Sequence, residues 1–317
     1  MARIAQKEDF EFLKRAWKVC FDDPDEFIDW NFNNNFSFEN TIVAEFDQEL
    51  ASCMQLMPHK VRLRENNYNI NYVSGVATLP EYRKRGLVKE MYSLAFAEMK
   101  KRKQAFSLLV PFNYGFYEKF GYKQCYEKIF RYADIIPDLE TVNEVSAELI
   151  SRLNRIYIEN MYDKNGYALR SQLDWQRILE DLLYISKGQV IFDKNGYALV
   201  TAKTDGGYEI HEMLGDVNLP CKMEKKPFAM ARIIDPCKII KDMSREFGGC
   251  FSIKIRDEIL PENNLILKIE RNSVLPCDDW DFEVDIKDLA ELIFGFCEDI
   301  TKTGFFKKQN NYMNMIF

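Results

Sequence analysis

The segment Arg83-Lys84-Arg85-Gly86-Leu87-Val88-Lys89 sets four cations around one glycine. It follows an alternating, β-branched run that ends at Pro80. It precedes an amphipathic pattern with Val88, Met91, Tyr92, Ala95 and Met99 on one face. A strand that hands over to a helix N-terminus presents backbone N–H groups able to hold a phosphate. Cations at a helix start oppose the macrodipole, a cost that makes sense where an anion binds; the alternative is a solvated basic turn. About 25 residues after this loop comes Pro111-Phe112-Asn113-Tyr114-Gly115-Phe116-Tyr117-Glu118-Lys119-Phe120-Gly121-Tyr122. Tyr117 offers a phenol whose reference pKa of about 10 keeps it protonated at neutral pH, hence an acid; the alternative is a core tyrosine with a satisfied hydroxyl. A third patch runs from Asp22-Asp23-Pro24-Asp25-Glu26 into Phe27, Trp30, Phe32 and Phe36. It reads either as a solvated turn before ordinary core aromatics, or as a pocket wall where aromatic faces and carboxylates meet an amine.

Other chemistries find no support. The eight cysteines are scattered singly without C-x-x-C, and His59 and His211 are the only histidines, so no metal site is expected. Free thiols, no signal-peptide core and no apolar run near the ~20 residues of a membrane span lead to the expectation of a cytoplasmic protein. The net charge of −7 argues against a nucleic-acid partner. The heptapeptide DKNGYAL occurs at Asp163–Leu169 and Asp193–Leu199. It fails as a calcium loop, because glycine falls at position four and no glutamate closes it.

The elements that position these residues follow from periodicity. Residues 7–20 read as a helix. Thr41–Phe46, Ala51–Met57, His59–Arg64 and Asn69–Thr78 read as a meander of strands. Gly86–Arg102 reads as a helix and Phe106–Val110 as a strand. Helices are expected at 141–161 and 171–186, then a meander over 188–215. The polar stretch 218–227 suggests a boundary, followed by a small α+β domain. The expected class is α/β with mixed α+β sheets, in spans 1–134, 135–226 and 227–317. The apolar last residues suggest a tail that docks.

The pair V-A-T-x-P-E-Y-R-K-R-G-L and P-F-N-Y-G-F-Y-E-K-F-G-Y resembles the acetyl-CoA signature of the GNAT superfamily of N-acetyltransferases. The resemblance implies a wedge between two strands that takes the cofactor's pantetheine. Val76, Ala77 and Thr78 would lie along the pantetheine. The backbone of Lys84, Arg85, Gly86, Leu87, Val88 and Lys89 would receive the pyrophosphate, with Phe112 and Asn113 approaching from the second motif. Val88 replaces the usual small residue of the loop. That departure, with Tyr117-Glu118-Lys119-Phe120-Gly121-Tyr122, resembles the Eis-like (enhanced intracellular survival) subfamily. Its plan is two tandem acetyltransferase-like domains and a domain resembling sterol carrier protein.

Attack of an amine on a thioester requires a base, an oxyanion donor and an acid for the thiolate. The resemblance implies Tyr117 as the acid and the α-carboxylate of Phe317 as the base, with a backbone N–H near Val76 for the oxyanion. It implies an acceptor pocket drawing on Phe21, Asp22, Trp30 and Ser74, less acidic than in some relatives because Ile316 replaces a glutamate. The expected activity is acetyl-CoA-dependent N-acetylation of a small-molecule or peptide amine: aminoglycoside-, polyamine- or lysine-like. The expected assembly is a ring-like homo-oligomer such as a hexamer. The alternative is a catalytically silent acyl-CoA-binding or lipid-binding protein.

Overall fold

The computed structural model describes residues 1–246, 249–298, 306–313 and 315. The chain opens with β1 (Ala2–Ile4), α1 (Phe10–Cys20), α2 (Asp25–Asn34), β2 (Thr41–Phe46), β3 (Glu49–Leu63) and β4 (Asn66–Thr78). Next come α3 (Leu87–Lys101), β5 (Phe106–Leu109), α4 (Tyr114–Glu118) and β6 (Lys123–Gln124). A middle stretch carries β7 (Glu127–Ala133), β8 (Glu140–Val142), α5 (Ala147–Glu159), β9 (Tyr167–Ala168), α6 (Gln172–Glu180), β10 (Gln189–Asp193), β11 (Gly196–Ala202), β12 (Tyr208–Leu214) and β13 (Lys222–Pro227). The last stretch holds β14 (Met230–Ile233), α7 (Pro236–Met243), β15 (Phe251–Arg256), β16 (Ile266–Glu270), β17 (Ser273–Pro276), β18 (Phe282–Asp285) and α8 (Ile286–Phe294). Where the sequence suggests three spans, the chain groups into two compact units: Met1–Cys125 with Phe228–Gln309, and Tyr126–Pro227 with Asn310–Phe317. No helix among the described residues is long and apolar enough to cross a membrane.

The first unit is built on a sheet of order β1-β2-β3-β4-β5-β14-β6. Period-two alternation sorts its two faces. Ile42, Ala44, Met54, Leu56 and Val73 meet Met91, Tyr92, Ala95 and Phe96 of α3. Val43, Cys53 and Ala77 meet Phe12, Leu13, Trp17 and Phe32 of α1 and α2. The pairing of β4 with β5 is parallel and needs a crossover, which α3 supplies. A second sheet, β17-β16-β15-β18, belongs to the same unit.

Strand β14 is buried along its whole length and lies between β5 and β6. The sequence reading puts these residues at the start of a third domain; in the structure they complete the first sheet. One of them is Arg232, and a charge so buried must be paired. Its Nη2 donates to Asp257 Oδ2 at 2.6 Å and its Nη1 to the Ile233 carbonyl at 2.8 Å. Both side chains of the ion pair are wholly buried. Asp257 also accepts from the N–H groups of Ile259 and Leu260 and from Asn263 Nδ2. Gly121, at φ +79°, sits against this guanidinium, and a Cβ there would lie 2.7 Å from Arg232 Nε.

Three local differences have physical reasons. The expected acidic loop at 22–26 is partly helix, since Asp25 and Glu26 start α2, where the macrodipole favours carboxylates. The two strands expected either side of Pro58 are one strand, β3. Its partner β2 reaches only Gln55, so Pro58 removes no bond to it. The polar stretch read as a domain boundary holds β13, an exposed edge strand on β7 whose lysines and glutamate discourage further pairing.

The second unit is an antiparallel sheet, β13-β7-β12-β11-β10-β8, packed on α5 and α6. A buried bidentate pair joins Arg170 to Glu212 at 2.7 and 2.8 Å. The hydroxyls of Tyr197 and Tyr312 donate to the same carboxylate. The first DKNG copy holds the tail: Asn165 N–H donates to the Asn310 carbonyl at 2.8 Å and Tyr312 N–H to the Asn165 carbonyl at 2.9 Å.

Asp257→Asn leaves Arg232 buried opposite a neutral group. It is expected to lower stability by about 3–5 kcal/mol, read as a lower urea midpoint at unchanged m-value.

Candidate functional site

The site begins where β4 and β5 part. They pair only at Asn71–Ser107 and Tyr72–Leu108. That junction is pinned by buried polar groups: Ser107 Oγ donates to the Asn71 carbonyl at 2.7 Å, and Asn71 Nδ2 donates to the Leu56 carbonyl at 2.8 Å. Tyr122 Oη lies 3.0 Å from Ser107 Oγ. Beyond Tyr72, β4 runs on to Thr78 with no β5 partner. Between Cys53 and Gln55 the register shifts, two steps of β3 facing the three from Ser74 to Ala77, and this bulge in β4 re-aims the free stretch. It leaves Gly75 at φ +56°, where a Cβ would lie 2.7 Å from the Trp17 ring. Val76, Ala77 and Thr78 therefore offer an open strand edge, as a pantetheine pairing like an extra strand requires.

At the mouth of the wedge, Lys84 (φ +64°) and Gly86 (φ +85°) turn the chain into α3. Among the described residues, no protein acceptor takes the N–H groups of Gly86, Leu87 and Val88. Nothing lies within 4 Å of where a Gly86 Cβ would stand, so a phosphate has room. Arg83 Nε donates to the Thr78 carbonyl at 3.2 Å, and the Arg85 guanidinium lies 5.3 Å from the Phe46 ring centroid. Lys84 and Lys89 are exposed. Val88 packs partly against the α3 core, which accounts for a larger side chain in the loop. These features fit a CoA pyrophosphate and pantetheine arm.

Opposite, Asn113 caps α4: its Oδ1 accepts the Phe116 N–H at 3.0 Å. This sets the orientation of Tyr117. The Tyr117 ring is buried, with Phe112 at 5.5 Å, Phe116 at 5.1 Å and Tyr122 at 6.3 Å between centroids. Its hydroxyl has no protein hydrogen-bond partner among the described residues, unlike those of Tyr114 and Tyr122. Burial pushes the phenol above its ordinary pKa, and Tyr72 adds to the shift. Tyr117 is thus neutral across the working pH range. Phe112 is largely exposed.

The expected acceptor residues divide. The Phe21 ring lies tilted against Trp17 at 4.9 Å between centroids, and Trp17 touches Gly75, next to Ser74, so these gather on the α1 face of the free strand. Asp22 is exposed; the carboxylate that joins the cluster is Asp23, which accepts from Trp17 Nε1 at 2.8 Å. Trp30 lies on α2 against Phe27 at 6.1 Å, and its buried indole N–H has no partner among the described residues. Phe317, the expected base, lies outside the described residues. The sequence reading named Asp23 within the acidic patch but gave the acceptor role to Asp22, and it gave Trp17 and Tyr72 no role. The helical periodicity of 7–20 already marked Trp17 as inward-facing, while nothing local marks Tyr72.

Residues 1–125 match the family model for the acetyltransferase (GNAT) domain. No curated protein sequence matches the chain. The fold is similar to a GCN5-related N-acetyltransferase from Anabaena variabilis ATCC 29413, with TM-score 0.77 and 18% identity over 99% of each chain. It is similar to a probable N-acyltransferase from Enterococcus faecalis V583, with TM-score 0.74 and 19% identity over 94% of this chain and 90% of that one. It is also similar to Eis1 from Mycobacterium abscessus, with TM-score 0.77 and 12% identity over the full length of both. The chain shares the fold of these structures, and its first 125 residues match the GNAT domain.

Gly86→Asp places a carboxylate at the α3 N-terminus in a backbone conformation that Asp tolerates. Calorimetry is expected to show CoA affinity reduced at least about tenfold with the fold intact.

Proposed function

We propose that this chain is an acetyl-CoA-dependent N-acetyltransferase that passes acetyl directly to a primary amine. The observation that carries the reading is the free edge of β4, running from the α3 N-terminus to a neutral tyrosine at the strand junction. Acetyl-CoA supplies the activated acyl thioester. The N–H groups of Gly86 to Val88, with Lys84 and Lys89 beside them, hold the pyrophosphate. A backbone N–H of the bulged segment Ser74 to Val76 faces the developing oxyanion. The amine gives its proton to the base proposed at the Phe317 α-carboxylate, and Tyr117 donates its own to the departing thiolate sulfur, a role suited to a phenol held neutral by burial, with solvent restoring both groups afterwards.

The acceptor amine lies against Phe21, Ser74 and Trp17, with Asp22 and Asp23 attracting its charge and Trp30 as an outer wall. Aminoglycoside-, polyamine- and lysine-like amines fit this aromatic and acidic chemistry. The loop ending Gly86-Leu87 and the Tyr117–Tyr122 motif support an Eis-like assignment, and the full-length likeness to Eis1 agrees with that plan. Under that assignment the second unit is the abbreviated tandem domain, and β15–β18 with α7 and α8 is the sterol-carrier-like part.

Release of CoA thiol with a panel of these amines tests the activity, and CoA binding without any release would favour a silent acyl-CoA-binding protein. Tyr117→Phe is expected to lower kcat by about 10²-fold or more, while KM for acetyl-CoA stays within about twofold. Turnover at the parent rate would make Tyr117 a structural residue.

A further inference from the structure

Tyr72 is the last residue of β4 that pairs with β5. At the next step the two strands separate, and the Val110 N–H, just past the end of β5, turns to the Tyr72 hydroxyl at 3.2 Å. The phenol therefore bridges the gap between the diverging strands at its closed end. The ring is held in place. On β3 its cross-strand neighbour is Met57, and the His59 ring meets it edge-on at 6.1 Å between centroids. Burial pushes its pKa up to about 12, so it is neutral as well.

Length decides what this bridge does, given the proposed CoA reading on which the inference rests. The arm of CoA between pyrophosphate and sulfur is about as long as four extended residues, ~14 Å. With the pyrophosphate at the α3 N-terminus and the arm lying along β4 from Thr78, the sulfur reaches the level of Ser74. An acetyl group then ends near Val73. The next residue is Tyr72, and its phenol stands across the path.

We propose that Tyr72 sets the acyl length this site accepts: its phenol closes the slot behind an acetyl group and excludes longer acyl chains. Removing the ring opens the closed end towards Val110 and Met57. Two additional methylenes then find room where the phenol stood.

Calorimetric binding of CoA, acetyl-CoA and butanoyl-CoA to the full chain, with no acceptor present, tests this directly. The parent protein is expected to bind butanoyl-CoA at least about tenfold more weakly than acetyl-CoA. Tyr72→Ala is expected to bring the two within about threefold while binding of free CoA is unchanged. Tyr72→Leu, which keeps apolar bulk at the base of the side chain, is expected to fall between them and decides the matter if Tyr72→Ala does not fold. Equal binding of both thioesters by the parent overturns the inference. So does a variant that binds CoA and keeps the parent's discrimination. Either result leaves the CoA reading standing. A folded parent that binds no CoA overturns that reading and the inference with it.

Discussion

The two-residue pairing of β4 with β5 is the constraint from which the rest of the first unit follows. A parallel ladder this short leaves strand edges with unpaired N–H and C=O groups, which a fold normally covers or pairs. Here the parting is fixed. Asn71, Ser107 and Tyr122 hold the junction shut on one side. The bulge at Gly75 and the Trp17 ring pressed on that glycine direct the free strand on the other. Gly75 has no room for a side chain and no need of one, because the close approach of Trp17 takes its place. The edge is thus kept open by specific contacts on both sides, and the proposed function gives it an extended, amide-bearing arm to pair with.

Holding the strands apart requires that β5 be secured from its far side, and β14 does this. It comes from more than a hundred residues downstream and enters between β5 and β6. Buried ion pairs contribute little net stability but penalise misplacement strongly, because an unpaired buried charge costs several kcal/mol. Arg232 and Asp257 tie β14 to the turn before Leu260, and Gly121 lets the guanidinium lie directly under the end of α4. The position of Tyr117 is thus set from two directions, by the Asn113 cap ahead of it and by the Arg232 contact behind it.

Legibility in the sequence followed the distance over which each feature is encoded. The strand, glycine loop and helix from Tyr72 to Arg102 are specified by neighbours a few residues apart, and the structure has them where periodicity puts them. Gly86 is conspicuous because its left-handed conformation is local. Gly121 is equally visible as a residue, but its reason is Arg232, whose relevance no local pattern shows. The same holds for β13 and β14: one reads as a domain boundary because an exposed edge is charged, the other as the start of something new because its partners are remote. Asp22 and Asp23 are adjacent and chemically alike, so composition cannot say which turns towards Trp17.

The tyrosines show how one side chain serves two ends here. Tyr122 and Tyr126 spend their hydroxyls on protein acceptors and stabilise the interior. Tyr92 is sealed between Phe96 and Phe120 with no acceptor among the described residues, a cost borne by its stacking. Tyr117 differs from both. Its ring is buried, and its hydroxyl has no protein partner among the described residues. Desolvation disfavours the phenolate and leaves the proton in place. A buried, oriented O–H without a protein partner among the described residues is an arrangement that packing alone does not call for; under the proposed function it is the proton given to the departing sulfur.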